Sequence, residues 1–268
     1  MIPIFQLVIY LPAYNAADTI VTVLDRIPDQ FKNSHMHILV VNDGSTDDTE
    51  RVTERYAEGN PEIQITLLKH VKNLGYGATQ KTAYQWCIDH QIDVVAMVHA
   101  DGQYAPELLP QLLEPLLKNE ADLVFGSRIS GNPLQGGMPL HRYFGNRFLT
   151  IFQNFFLGLK LSEYHSGYRV FSVKALQKVP FAHLSSYYDF DTEMMILFQN
   201  AGLRIAETTI PTHYGNERNY LNVWKYTQHI LVTTFTFWLY QKGFWKSKKW
   251  SRILDKKKDI CSHDASTT

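Results

Sequence analysis

The sequence predicts an α/β fold: a mostly parallel sheet with helices on both faces. Short β-branched apolar runs alternate with longer amphipathic segments in β-α-β-α order, and the runs are almost continuously apolar, as in strands covered from both sides. Polar and ionisable residues gather where the runs end. In open parallel sheets, ligands bind outside the carboxyl ends of the strands, where loops and helix N-termini converge.

Five runs read as strands: Gln6–Pro12, His37–Asp43, Ile63–Lys69, Asp93–Asp101 and Asp122–Arg128. Helices are expected between them at Ala17–Arg26, Asp47–Glu58, Ala78–His90 and Pro106–Lys118, with Ser45 and Asp48 offering a capping-box-like start to the second. After Arg128 the rhythm changes. The Gly- and Pro-rich stretch Ile129–Arg147 reads as a functional loop, followed by a helix near Phe148–Leu157. Ser166–Ser172 then resembles a strand, Asp191–Gly202 a helix closed by glycine, and Leu203–Pro211 a last strand.

A chain of 268 residues suits one α/β domain with an appendage, and 45% hydrophobic residues can build a full core. Lys+Arg and Asp+Glu both number 26, so overall charge points to no partner, and no nucleic acid is expected. The basic residues are unevenly placed. From Lys242 to Lys258 eight of them stand against one acid, Asp255, beside Phe244, Trp245 and Trp250. Cys87 and Cys261 give neither a disulfide framework nor a metal spacing, so a reducing, cytoplasmic setting is the default. The N-terminal run lacks a basic region before it and reads as a buried strand rather than a signal peptide. The longest apolar stretch, Ile230–Tyr240, is too short to span a bilayer, which leaves a soluble or peripheral protein.

The chemistry lies at the strand ends: Leu11–Asn15 after the first, Asp43–Thr49 after the second, His99–Tyr104 after the fourth, and Arg128 after the fifth. Asp43 could accept the ring N–H of a uracil or guanine; taken alone, it is more often a turn aspartate. The same holds for Asp101. A dinucleotide-dependent dehydrogenase would need G-x-G-x-x-G after the first strand, where Pro12–Thr19 stands instead. Gly75–Gly77 is followed by Gln80 where a third glycine belongs, and no Walker A lysine motif exists. Both readings fall.

Seven landmarks in order, from "LPAYNAADTI" through "VVNDGSTDDT", "KNLGYGATQKTA", "HADGQYAPELL", "FGSR" and "SGYRVFS" to "TIPTHYGNER", cover about Ile9 to Arg218. On them the chain resembles family 2 glycosyltransferases, in the dolichyl-phosphate mannosyltransferase-like branch. The resemblance implies a GT-A fold, a UDP- or GDP-linked sugar donor and inversion at the anomeric carbon. It assigns Pro12, Tyr14, Asn15 and Asp43 to the nucleoside, with Gly75 opening a helix beside it, and Asp101 with Gln103 to a metal-bridged pyrophosphate. The chain departs from the family at His99, where aspartate is common. His99 is then a metal ligand, a hydrogen-bond donor to phosphate or a packing residue. Neutral imidazole ligates Mn²⁺ better than Mg²⁺, so a metal-dependent enzyme preferring Mn²⁺ is expected, with Mg²⁺ second.

The resemblance also implies an acceptor-phosphate site with Arg128 and Arg142, fourteen residues apart, and Asn146 beside them. Arg169, for which a structural salt bridge competes, and Arg218, out of register with a family arginine, are weaker members. Guanidinium forks suit phosphate oxygens. A sugar hydroxyl acceptor would require a base; the resemblance puts Glu163 forward for that or for an acceptor-positioning role, with Asp191 and Glu193 competing, whereas a phosphate monoester is already mostly ionised at neutral pH. His165 and His213 are cleft candidates more simply read as structural. The expected organisation is a catalytic domain over 1–218, an aromatic and basic extension over 219–258 and a disordered tail over 259–268. In the extension, Trp224, Phe235, Phe237, Trp238, Phe244, Trp245 and Trp250 with the lysines suit either an anionic membrane surface at its cytosolic face or a helix packed on the domain. Three functions remain open: hexose transfer to a polyprenyl phosphate, transfer to a saccharide in envelope polysaccharide or glycolipid assembly, and non-catalytic nucleotide-sugar binding.

Overall fold

A computed structural model of the protein describes residues 5–32, 36–212 and 222–264, with side chains through residue 256. Its elements run β1 (Leu7–Ala13), α1 (Ile20–Asp25), β2 (Met36–Asn42), α2 (Thr49–Gly59), β3 (Gln64–Lys69), α3 (Tyr76–Asp89), β4 (Val94–Met97) and α4 (Leu109–Leu117). They continue with β5 (Leu123–Ser127), α5 (Leu140–Leu157), β6 (Arg169–Ser172), α6 (Val173–Leu176), α7 (Phe190–Asn200), β7 (Ile205–Thr209), α8 (Val223–Gln241) and α9 (Lys248–Asp264).

The strands form one seven-stranded sheet in the order β3-β2-β1-β4-β6-β5-β7. Only β6 runs antiparallel, between β4 and β5. The other pairs are parallel, as the apolar runs implied. Alternation along β1 divides the core. Leu7, Ile9 and Leu11 pack with Ile20, Val23 and Leu24 of α1 and Leu109, Leu112 and Leu113 of α4. Val8 and Tyr10 face the other way, onto Ala83, Tyr84 and Cys87 of α3 and Phe190 and Met194 of α7.

Several expectations change. The β2–α2 connection has no Ser45–Asp48 box; Asp47 accepts from the Thr49 amide at 3.0 Å and the Ala17 amide at 3.1 Å, tying β1 to α2. Helix α5 begins at Leu140, eight residues before the expected start: the dense glycine and proline signals end at Pro139, and the isolated Gly145 is accommodated within the helix. The extension is two helices folded back on the domain. Trp250 and Phe237, read as candidate interfacial anchors, are fully buried against each other, with centroids 4.9 Å apart. The Lys249 ammonium meets the buried Glu193 carboxylate of α7. Of the tail expected to be disordered over 259–268, residues 259–264 continue α9, and the rest lie outside the described residues. Among the described residues no helix is long and apolar enough to cross a membrane.

Candidate active site

The ends of β1, β2, β4 and β5, the start of α5 and the first turns of α3, α7 and α8 enclose a cleft of about 1100 Å³. Pro12, Tyr14, Asn15, Asp43, Gly75, His99, Asp101, Gln103, Arg128, Arg142 and Asn146 all line it, so the structure brings together residues up to 134 positions apart in the chain.

After β1, Asn15 takes a left-handed backbone (φ 51°), which asparagine tolerates better than most residues. Its amide N–H donates to Ser45 Oγ at 2.9 Å and its side-chain oxygen accepts from the Thr46 amide at 2.9 Å. Asn15 therefore fastens the β1 and β2 loops together as well as lining the cleft. Asp43 is buried and accepts from the amides of Leu74 and Gly75, both at 2.9 Å, with His70 Nδ1 at 2.6 Å. His70 Nε2 lies 2.9 Å from Thr82 Oγ1. Gly75 is required by close approach as much as by its φ of 101°: a Cβ there would come within 2.4 Å of the Ser186 carbonyl oxygen.

At the end of β4, Asp101 Oδ1 accepts from the Gln103 amide at 2.9 Å, a tight turn that presents the carboxylate at the cleft. His99 packs between the rings of Tyr76 and Tyr104, at centroid distances of 5.7 and 5.2 Å. Its Nε2 lies 3.4 Å from the Tyr76 hydroxyl and so near Gly167 that a Cβ there would come within 2.2 Å. Burial lowers its pKa, outweighing the charges of Asp101 and Asp191, so the imidazole is neutral at pH 7. Among the described residues no group of three or more His, Cys, Asp or Glu gathers to hold a metal. A cation here would take Asp101, with or without His99, and complete its shell with substrate oxygens and water, as Mg²⁺-type sites commonly do.

At the end of β5, Glu163 is fully buried, and its carboxylate collects the Arg128 amide at 2.7 Å, Arg128 Nε at 3.1 Å, the Arg128 Nη2 group and Asn146 Nδ2 at 2.8 Å. Burial alone would raise its pKa; the charge and hydrogen bonds of Arg128 outweigh it and hold Glu163 below the ordinary carboxylate range. This argues against Glu163 as a general base and makes it the anchor of Arg128. Asn146, expected at the acceptor phosphate, turns its amide to the same carboxylate. Arg169 takes the structural role and not the acceptor-phosphate one: it is fully buried, does not line the cleft, and donates to the carbonyls of Ser166 at 3.0 Å and Tyr164 at 2.7 Å. Arg218 and His213 lie outside the described residues.

Of the competing carboxylates, Glu193 is buried behind the site against Lys249, whereas Asp191 reaches the cleft. Asp191 accepts from the Tyr76 hydroxyl at 3.1 Å and Gln80 Nε2 at 3.0 Å, with Arg169 Nη2 3.8 Å away. Sequence reasoning missed His70, Tyr76 and Tyr226 because each acts through a partner far along the chain. Tyr226, on α8, places its hydroxyl 2.8 Å from His165 Nδ1. The extension thus contributes to the cleft wall.

The model of glycosyl transferase family 2 matches residues 8–180. The chain belongs to this family. Its sheet carries the nucleotide-sugar transferase topology, and the protein is a glycosyltransferase. One relative is a UDP-N-acetylglucosamine–dolichyl-phosphate N-acetylglucosaminyltransferase of Methanococcus voltae, 26% identical over 76% of this chain and 84% of that protein. Another is an undecaprenyl-phosphate mannosyltransferase of Micrococcus luteus, 29% identical over 75% and 80%. A glucosyl-3-phosphoglycerate synthase of Mycobacterium tuberculosis, crystallised with Mn²⁺, UDP-glucose and phosphoglyceric acid, superposes with a TM-score of 0.62. It is 23% identical, and the match covers 91% of this chain and 82% of that one, a likeness of fold.

Proposed function

We propose that this glycosyltransferase moves a hexose from a nucleoside-diphosphate sugar to a polyprenyl phosphate, inverting the anomeric centre. The observation that carries the reading is the state of the three carboxylates that compete as a general base. Glu163 and Glu193 are buried in ion pairs, and both oxygens of Asp191 already accept hydrogen bonds. A hydroxyl nucleophile would need one of them as a base; a phosphate monoester, with a second pKa of about 6, needs none. It needs relief from charge repulsion, and Arg128 and Arg142 line the wall where that is required. The relatives named for dolichyl- and undecaprenyl-phosphate acceptors support the same choice.

In this reading Asp43 and Tyr14 bind the nucleoside and Asp101 faces the diphosphate. An acceptor phosphate oxygen attacks the anomeric carbon as the bond from that carbon to the diphosphate oxygen breaks. The nucleoside diphosphate leaves from the opposite side. A divalent cation, Mn²⁺ or Mg²⁺, held with Asp101 would offset the charge of that leaving group. Arg128, fixed by Glu163, and Arg142 orient the acceptor phosphate.

A membrane-borne acceptor also fits the surface beside the cleft. Along α5, Leu140, Phe144, Phe148, Ile151 and Phe155 are 60–77% exposed at helical spacing. Ring contacts continue this stripe from Phe155 through Phe156 and Phe235 to Trp238 and Phe244, next to exposed Trp245. Lys242, Lys246 and Lys248 flank its end, a combination suited to peripheral contact with anionic lipid at a cytosolic membrane face. The test is transfer from UDP- and GDP-hexoses, with Mn²⁺, to a short-chain polyprenyl phosphate, its dephosphorylated alcohol and free oligosaccharides. Transfer to the phosphate alone is expected; transfer to a saccharide hydroxyl would overturn the acceptor assignment.

A further inference from the structure

The loop before α7 carries two adjacent tyrosines that no part of the mechanism above uses. Tyr187 and Tyr188 both line the cleft and are 65% and 40% exposed. They differ in how they are held. The ring of Tyr188 lies nearly parallel to that of Tyr76, with planes 22° apart and centroids 5.2 Å apart, whereas no such stack is found for Tyr187 among the described residues. Beneath them the loop is clamped to the start of α3. The amides of Gly77 and Ala78 donate to the Ser186 carbonyl at 2.8 and 3.3 Å, the Ser185 hydroxyl donates to Asp189 at 2.5 Å, and the Ser185 amide donates to Glu193 at 2.6 Å. An aromatic side chain lining the cleft is thus fixed from behind, with little rotamer freedom left to lose on binding.

The position of Tyr188 indicates which end of the cleft it serves. Its loop rests on the segment whose amides hold Asp43, at the nucleoside end. Burial and then the charges of Asp101 and Asp43 raise the pKa of its hydroxyl, so the side chain stays neutral at working pH. We propose that Tyr188, backed by Tyr76, is a stacking platform for the nucleoside of the donor. A neutral π-face tolerates any base and supplies affinity that Asp43 can direct but, already accepting from two amides and His70, cannot supply alone.

This assignment rests on the sugar-nucleotide reading of the cleft, and binding and transfer separate the two. Calorimetric titration of UDP and GDP into the wild-type chain identifies the nucleotide that binds. The same titration then follows for Tyr188→Ala, Tyr188→Phe and Tyr187→Ala, each checked for an unchanged melting transition. Stacking predicts that Tyr188→Ala binds the free nucleoside diphosphate and the corresponding nucleotide sugar more weakly, by about tenfold in each case. It also predicts that Tyr188→Phe stays within about twofold of wild type, that Tyr187→Ala changes little, and that donor KM rises with kcat nearly constant. Unchanged nucleotide affinity in Tyr188→Ala, a loss confined to the nucleotide sugar, or a rise in acceptor KM alone would each overturn the assignment. Absence of any UDP or GDP binding by the wild-type chain would overturn the donor reading itself.

Discussion

Replacing Glu163 by Gln keeps the shape of the side chain and removes its charge. Four donor groups converge on that carboxylate: the amide, Nε and Nη2 of Arg128, and Nδ2 of Asn146. Glutamine offers one acceptor oxygen and turns an NH₂ group toward the remaining donors. Arg128, only 8% exposed, would keep its charge in a site built to neutralise it. Removing one partner of a buried pair costs about 3–5 kcal/mol, which for a chain of this size lowers the melting temperature by on the order of 10 °C. The sign with pH follows from the lowered pKa of Glu163. A depressed carboxylate contributes stability above its unfolded value of about 4.3, and that contribution is lost as pH falls through the folded pKa. Melting curves of wild type and Glu163→Gln should therefore be well separated at pH 7 and converge as pH falls below about 4. In the transfer assay a positioning role raises acceptor KM and leaves the pH dependence of kcat unchanged. A variant within about 1 kcal/mol of wild type at pH 7, or one that loses a kinetic ionisation with acceptor KM unaltered, would refute the anchor role; about 1 kcal/mol is what a single hydrogen bond contributes.

Asp101→Ala should abolish transfer while preserving the fold, and chelation should abolish transfer by the wild type, restored by Mn²⁺; full activity in chelator would remove the cation from the reading. Glu193, whose pKa burial raises against the pull of Lys249, should behave oppositely to Glu163. A raised carboxylate pKa gives stability at low pH that is lost as pH rises through it, so the melting temperature of Glu193→Gln relative to wild type should be higher at pH 8 than at pH 5. An equal difference at both values would show that Glu193 does not titrate as described. For the exposed stripe, the double variant Phe144→Ser, Phe155→Ser should bind vesicles with anionic lipid several-fold more weakly while still binding nucleotide. Vesicle binding by the wild type should itself weaken with salt, and co-sedimentation unaffected by the substitutions would place the lipid contact elsewhere.

The strands, the ends that bear chemistry and the placement of Asp43, Asp101, Arg128 and Arg142 were legible, because apolar runs closed by turn residues are local patterns. What failed to show was pairing across the chain. Glu163 meets Arg128 from 35 positions away, and His70 meets Asp43 from 27. Nothing in the spacing around either residue marks the other as a partner. The same gap hid the fate of the C-terminal aromatics. Trp250 and Trp245 have the same aromatic and basic neighbourhood, yet Trp250 is buried on Phe237 and Trp245 is 56% exposed. Composition cannot choose between them, because the choice depends on how α9 folds back on α8. Exposure of Phe144 and Phe155 on α5 is equally a tertiary fact, decided by which face of that helix meets α8.

One short segment couples the two halves of the cleft. The amides of Leu74 and Gly75 hold Asp43 at the end of β2. One turn on, the Tyr76 hydroxyl and Gln80 Nε2 hold Asp191, while Tyr76 also abuts His99 and backs Tyr188. Gly77 donates to the Ser186 carbonyl, which fixes the loop leading into α7. These groups sit on one helix start, where the backbone amides are unsatisfied by the helix itself and available for such work. A displacement of this turn cannot move Asp43 without also moving Asp191 and the rings of Tyr76 and Tyr188. In the proposed reaction the relative position of the two substrates would therefore be set by one helix start, as an in-line displacement between two anions requires.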